Sequence, residues 1–412
     1  MAIPVDLLRL AASAVAYDPA DRRATPLLGL LGWDRVAEPA VAADRSRLLA
    51  AASECVRVFP LRAPDAPGLH CFGAEVDLAL AAGEPGLPVI GSSGVAAQPG
   101  AAFAACIGEA VELRAQVLTP AQRTRLGQGA ADEVTALRWP DGAPRAVPLD
   151  RCLRRIPHRV TRAAAAPLSI GCAAGRTRDE AMLRAALELV ERDAVALWWR
   201  GGRAGRPVAL EASAQAGVLL GELRRGLTHR HTWLLDIASD LDVPVVAAVS
   251  LGSDGTGFSF GTAARPNVAE AACAAVLELC QNELAHAVAS AKREQRGEAG
   301  LNPRDKAILS RTWQITGETA WLIHPTGAPR RLALSGNAAN QHIASLRDRL
   351  EAAGLELLVF DHSEGGGGMP VWRALSPGLA CEPSIEMSPR LQHAIAETGG
   401  GPGHRVGVSL YA

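Results

Sequence analysis

Between Ser169 and Trp199 the chain reads SIGCAAGRTRDEAMLRAALELVERDAVALWW, a small-residue stretch that runs straight into a long helical pattern. Leu183, Leu187, Val190, Ala194 and Trp198 recur at offsets of three and four, which is one buried stripe of an amphipathic helix. Glu188 and Glu191 lie beside that stripe, so both carboxylates share one face about a turn apart. Such a pair suits either of two roles. Two carboxylates can share a hard cation, and a glycine-bearing loop before a helix N-terminus receives phosphate. Against that, Arg184 and Arg192 stand four residues either side of Glu188, and a single helix of this kind reads more simply as a solvated, salt-bridged face.

Repetition changes the balance. A helical stretch after Pro99, AAFAACIGEAVELRAQ, carries Glu109 and Glu112, and a third, VAEAACAAVLELCQNELAHAVASAKRE, carries Glu278 and Gln281. Measured from Glu109, Glu188 and Glu278, position −7 is Ala102, Ala181 or Ala271 and position −3 is Cys106, Ala185 or Ala275. Position +3 is Glu112, Glu191 or Gln281, always an oxygen ligand. Small residues at −7 and −3 let a neighbouring backbone approach closely. If the three faces meet, the carboxylates repel one another unless a counter-ion is present, and several Mg²⁺ ions with a nucleoside triphosphate would supply it.

Composition excludes several alternatives. A formal charge of −1 over 412 residues argues against general nucleic-acid or membrane-surface binding. The eight cysteines contain no CxxC and do not cluster with histidines, so free buried thiols are expected rather than a zinc site. The N-terminal MAIPVDLLRLAASAVAY contains Asp6 and Arg9 and lacks a basic leading region, and no uncharged apolar run approaches the length of a membrane span. A cytoplasmic, soluble protein is the expectation.

Along the chain, residues 1–85 read as an Ala/Leu-rich N-terminal lobe suited to packing or partner docking, with helices over Leu7–Val15 and Arg45–Val56 and short strands over Val58–Leu61 and Val76–Leu80. A strand over Leu87–Gly91 is expected to enter a turn at Gly91-Ser-Ser-Gly94, and Glu133–Leu153 to form a hairpin about Pro140-Asp-Gly. Strands are expected over His231–Asp236, Val243–Ser250, Trp321–His324, Leu355–Phe360 and Val371–Leu375, and a helix over Asn337–Ala353 ending at Gly354. His362 beside Asp361 reads as a turn histidine before an acid–base catalyst. Residues 381–412 form a C-terminal tail.

The Ser169–Trp199 block, the later FGTAARPN…AAVLELCQ and MPVWRALSPGL, in this order and spacing, resemble the YcaO family over residues 86–380. The resemblance implies an α/β (α+β) fold with mixed sheets and helices converging on an ATP/Mg²⁺ site, unlike a Walker ATPase, and the chain has no GxxxxGK[ST]. It implies an ATP-dependent peptide cyclodehydratase that phosphorylates a backbone amide oxygen of a ribosomally made precursor peptide, so that Cys, Ser or Thr closes to an azoline. Carried over by motif, Glu109, Glu112, Glu188, Glu191 and Glu278 match Mg²⁺ ligands, and Ser169, Arg192 and Gln281 match ATP-site positions. The sequence departs from the family at Val95, Ala105, Leu113 and Ala274, where Lys, Ser, Arg and, in some members, Arg are usual. A proline-rich ending is also missing. Implied partners are the precursor peptide, an E1-like or winged-helix recognition protein and, for azoles, a flavin-dependent dehydrogenase, in a dimer or hetero-oligomer. Thioamide formation with a sulfur-delivering partner, or a non-catalytic nucleotide-binding assembly role, are the alternative expectations.

Overall fold

A computed structural model describes residues 2–17, 21–35, 37–126, 133–155, 169–317, 320–381 and 387–411. The chain forms two compact units, one of Met1–Leu61, His70–Ala186 and Leu357–Leu375, the other of Arg62–Leu69, Leu187–Glu356 and Ser376–Ala412. Of the expected tail, residues 382–386 and 412 lie outside the described set.

In the first unit the strands Arg57–Leu61, His70–Asp77 and Val89–Ala96 form an antiparallel sheet in that order. Val58, Phe72, Ala74 and Val76 meet Ala102, Phe103, Cys106 and Ile107 of the helix Pro99–Ala115 in one core. Phe103 sits edge-on to Phe72 and Trp33, with centroids 5.6 and 5.7 Å away. The expected boundary at residue 85 falls within this unit, where Asp77 and Val89 pair across it. Two local expectations change. The strand expected at Val76–Leu80 stops at Asp77, whose carboxylate accepts from the amides of Ala79 and Leu80 and starts the helix Leu78–Ala82. Gly91-Ser-Ser-Gly94 is no turn but the middle of a strand. Its glycine serves close approach, because a Cβ on Gly94 would lie 2.1 Å from the Cys106 amide nitrogen.

A second sheet of this unit orders Pro144–Pro148, Glu133–Arg138, Leu358–Asp361, Val371–Leu375 and Cys172–Ala174, all antiparallel. The expected hairpin thus forms, and Gly142 supplies its left-handed turn residue at φ +70°. His362, buried, directly follows the strand Leu358–Asp361, and its amide donates to the Val371 carbonyl at 2.9 Å. Its Nδ1 lies 3.1 Å from the Ala115 carbonyl oxygen. Burial, helped by the charge of Arg373, pushes its pKa down to about 3, so the ring is neutral and belongs to the core.

In the second unit Ser259–Ala264, Val245–Gly252, Arg230–Asp236 and Arg206–Pro207 form an antiparallel sheet in that order. Val245–Leu251 is buried on both faces, with the 29-residue helix Val268–Arg296 packed against the sheet. Asn267 caps that helix by accepting from the Glu270 amide. Farther along, the buried Glu283 accepts from Arg224 Nη1 and Nη2 at 2.6 and 2.7 Å, Arg230 Nε at 2.8 Å and Ser250 Oγ at 2.7 Å. These bonds fix the helix register on the sheet. Residues Trp321–Ile323, expected as a strand, make a 3₁₀ turn instead, because the Leu322 and Ile323 carbonyls are taken by the indoles of Trp198 and Trp233 rather than by a neighbouring strand. Among the described residues no helix is long and apolar enough to cross a membrane.

Gly261 faces backbone atoms, with a Cβ there 2.1 Å from the Leu279 nitrogen and 2.4 Å from the Ala275 oxygen. Gly261→Ala is therefore expected to destabilise by about 2–4 kcal/mol, since backbone cannot swing aside as a side chain can. Gly217→Ala, on a helix with nothing within 4 Å, is expected to be neutral or stabilising by up to ~1 kcal/mol. Urea denaturation of both variants checks the contrast.

Candidate functional site

The first unit holds Glu109 and Glu112 on Pro99–Ala115, both half-buried. Ser93 N donates to Glu109 Oε2 at 2.8 Å, and Ala174 N donates to Glu112 Oε1 at 2.7 Å. Each carboxylate is thus aimed by a strand amide. Ser169, exposed in a turn, belongs to the same unit. The turn is tied to the strand Val371–Leu375, since Arg373 Nη1 donates to the Ile170 carbonyl at 2.8 Å and Ala374 N to that of Gly171 at 2.7 Å. Arg114, which could have stood in for the arginine absent at Leu113, forms an ion pair with Glu54. Leu113 is buried in the apolar core.

The helix Arg178–Val195 carries its last two turns in the second unit, and there Glu188, Glu191 and Arg192 lie close to Glu278, while Glu109, Glu112 and Ser169 belong to the first unit. Its stripe is buried as expected, with Leu183, Leu187, Val190, Ala194 and Trp198 all 7% exposed or less. Continuing from this helix, Ala196–Arg200 widens into a π-helical turn, a feature often found beside functional sites. The turn is pinned by Trp198 Nε1 to the Leu322 carbonyl at 3.0 Å and Trp199 Nε1 to that of Val408 at 2.8 Å.

At the centre lies Thr262. Its hydroxyl donates to Glu191 Oε1 at 2.7 Å while its backbone N–H donates to Glu278 Oε2 at 3.2 Å. Ala264 N donates to the other Glu191 oxygen at 3.2 Å. Arg192 stands 3.5 Å from Glu188 Oε1 through Nη2 and 3.6 Å from Glu191 Oε1 through Nη1. The guanidinium lies over the ring of Tyr411, with Cζ 4.0 Å from the centroid, and Tyr411 Oη is 2.6 Å from Thr262 Oγ1. Gln281 follows Glu278 by less than a turn and is half-buried, and its neighbour Asn282 donates to the Phe260 carbonyl at 2.7 Å. Arg265 donates to the Ala264 carbonyl at 2.7 Å and adds positive charge near Glu278.

The electrostatics show a site built for more positive charge than it holds. Burial, and then the neighbouring charge of Glu191, push the Glu278 carboxyl up to about 8. Burial also raises the Tyr411 phenol well above its ordinary value, so it stays a neutral hydroxyl. For Arg192 burial opposes the charge, but the surrounding acidic groups, Glu191 and Glu188 among them, outweigh it and raise the pKa. Even so, its Nε and Nη1 are buried without a hydrogen-bond partner. Among the described residues no three His, Cys, Asp or Glu side chains already form a metal-ion cage. The donor set suits a hard cation: carboxylate oxygens and an amide, with a buried guanidinium whose two unpartnered nitrogens suit phosphate oxygens.

Thr262 and Tyr411 escaped sequence reasoning. Thr262 sits within FGTAARPN, where the pattern signals only a strand leading to a helix. Tyr411 reaches the site through tertiary packing alone.

A model of the YcaO cyclodehydratase family, ATP- and Mg²⁺-binding, matches residues 130–380. No curated protein sequence matches. Among solved structures, a heterocyclase in complex with substrate and cofactor is 19% identical, covering 86% of this chain and 55% of that one, at a TM-score of 0.68. The heterocyclase TruD is 18% identical, with coverages of 72% and 48% and a TM-score of 0.57. YcaO from Methanopyrus kandleri, bound with AMPPCP and Mg²⁺, is 20% identical, with coverages of 84% and 92% and a TM-score of 0.58. The chain spans about half the length of the first two. At these identities the structural likeness is one of fold. The match over residues 130–380, more than half of the chain, with the carboxylates and Arg192 on the elements just described, makes this protein a member of the YcaO family.

Proposed function

We propose that this protein is an ATP-dependent cyclodehydratase subunit acting on a ribosomally made precursor peptide. The observation that carries the reading is Arg192, with two buried nitrogens, Nε and Nη1, that lack hydrogen-bond acceptors beside Glu188, Glu191 and Glu278. Leaving such groups unsatisfied costs about 1–3 kcal/mol each, and an anionic ligand with its cations removes that cost. In this reading Glu188, Glu191 and Glu278 are the Mg²⁺ ligands of the second unit, and Glu109 and Glu112 the candidate Mg²⁺ ligands of the first. Arg192 and Gln281 are the candidate ATP contacts of the second unit, and Ser169 that of the first.

When bound, Mg²⁺-ATP supplies the γ-phosphoryl group that turns a peptide amide oxygen into a leaving group. The chain's own part is positioning and charge neutralisation, which dominate phosphoryl transfer. Arg192 would stabilise the negative charge that develops on the transferring phosphoryl group, and Glu188, Glu191 and Glu278 would hold the cations that neutralise it. A Cys, Ser or Thr side chain of the peptide adds to the amide carbon and loses its proton. The amide oxygen departs as phosphate, and loss of the amide N–H proton leaves a C=N bond. The E. coli microcin synthetase, a multi-protein complex also seen with its precursor bound, shares this fold at 12–14% identity. By analogy, delivery of the peptide here falls to an E1-like or winged-helix partner, with a flavin-dependent dehydrogenase following if azoles are made.

A second reading, a nucleotide-binding subunit that assembles but does not catalyse, is favoured by the first motif helix. Ala105 is exposed there, Leu113 is buried, and Arg114 is committed to Glu54. Incubation with precursor peptide, partner and heavy-oxygen-labelled amide separates the two. The cyclodehydratase gives loss of one water per ring and label in phosphate. An assembly subunit gives neither, and a thioamide synthetase gives sulfur-dependent exchange.

Two further outcomes are expected. Calorimetry with AMPPCP should show Mg²⁺-dependent binding that weakens by about 10-fold or more in Arg192→Ala, the loss of a charge-assisted hydrogen bond, and loses its Mg²⁺ dependence in Glu188→Ala. The second concerns pH. The folded Glu278 carboxyl, near 8, lies above its ordinary 4.5. Its stabilising contribution is therefore fully present below about 4.5 and is lost as pH rises through about 8. Thermal denaturation without Mg²⁺ should show Tm falling across that window. Glu278→Gln should flatten the fall, and Mg²⁺ should restore Tm more at pH 8.5 than at pH 5.

A further inference from the structure

The Thr262 hydroxyl has one hydrogen and two partners. Glu191 Oε1, a carboxylate oxygen at 2.7 Å, takes that hydrogen, so the Tyr411 hydroxyl at 2.6 Å must donate to Thr262 Oγ1. The order is thus Tyr411 O–H to Thr262 O–H to Glu191. Tyr411 is itself anchored from two sides, through Arg192 against its ring and Arg311 Nη1 donating to the carbonyl of Leu410. Glu191 is held on its second oxygen by Ala264 N, and the same Thr262 residue holds Glu278 through its backbone. One residue therefore sets both carboxylates, one by side chain and one by main chain.

We infer that Thr262 is a positioning residue that fixes the rotamer of Glu191 opposite Glu278 for cation binding, and that Tyr411 supplies the hydrogen bond that orients the Thr262 hydroxyl. The inference rests on the nucleotide reading for its consequence but not for its geometry. Hydrogen bonds of this supporting kind are worth about 10–100-fold in metal affinity when removed. Valine matches threonine in shape and lacks the hydroxyl, whereas serine keeps it.

The test combines crystal structures without ligand and Mg²⁺ titrations in the presence of AMPPCP, on wild type, Thr262→Val, Thr262→Ser and Tyr411→Phe. Glu191 is expected to leave its rotamer in Thr262→Val and keep it in Thr262→Ser. The Mg²⁺ concentration at half-saturation should rise about 10-fold or more in Thr262→Val, about 3-fold in Tyr411→Phe, and less than about 2-fold in Thr262→Ser. An unmoved Glu191 in Thr262→Val, or a Thr262→Ser as impaired as Thr262→Val, overturns the positioning role and leaves only packing. Should wild type bind no nucleotide while Glu191 still moves in Thr262→Val, the nucleotide reading fails and the positioning of Glu191 stands.

Discussion

A guanidinium buried among carboxylates that outnumber it governs the second unit. Arg192 faces Glu188 and Glu191 and feels Glu278, and one positive charge leaves the group with excess negative charge. Buried like charges destabilise a fold unless a proton or a cation intervenes. In the free chain the proton does so, on Glu278, whose pKa rises to about 8. The remaining architecture keeps this arrangement in place. Trp198 and Trp199 pin the π-helical turn after Arg192, Asp193 is buried against Arg390 at 2.9 Å, and Glu283 locks the third motif helix to its sheet.

The two units use the same local device. A strand runs into a helix, and an amide of the strand donates to the leading Glu of that helix's aligned pair, sixteen residues later in both cases: Ser93 to Glu109 and Thr262 to Glu278. Strand and helix must lie very close for this bond to form. Gly94 and Gly261 supply the closeness from the strand side, and the buried Ala102, Cys106, Ala271 and Ala275 from the helix side. Side-chain bulk at any of these positions would push the helix out and lengthen the amide–carboxylate bond.

Much of this was legible because it obeys short-range periodicity. Aligning the helices on Glu109, Glu188 and Glu278 exposed the small residues at −7 and −3, all six of them fully buried in the fold. The apolar stripe of Leu183 to Trp198 followed from the same period. What escaped depends on contacts distant in sequence. Gly91–Gly94 read as a turn because glycine is ambiguous until the backbone it must touch is known. Trp321–Ile323 read as a strand because nothing local announces that Trp198 and Trp233 take its carbonyls. Tyr411 lies 149 residues from Thr262, and no spacing rule reaches that far.

The central claim is that the unused N–H groups of Arg192 and the carboxylates around it form a cation–phosphate site. Crystals grown with Mn²⁺ and AMPPCP, with anomalous diffraction to locate the metal, test it most directly. The account predicts anomalous peaks bound by Glu188, Glu191 and Glu278, and a phosphate oxygen accepting from Arg192 Nε or Nη1. Metal and nucleotide bound elsewhere, with Arg192 still lacking acceptors, would contradict it.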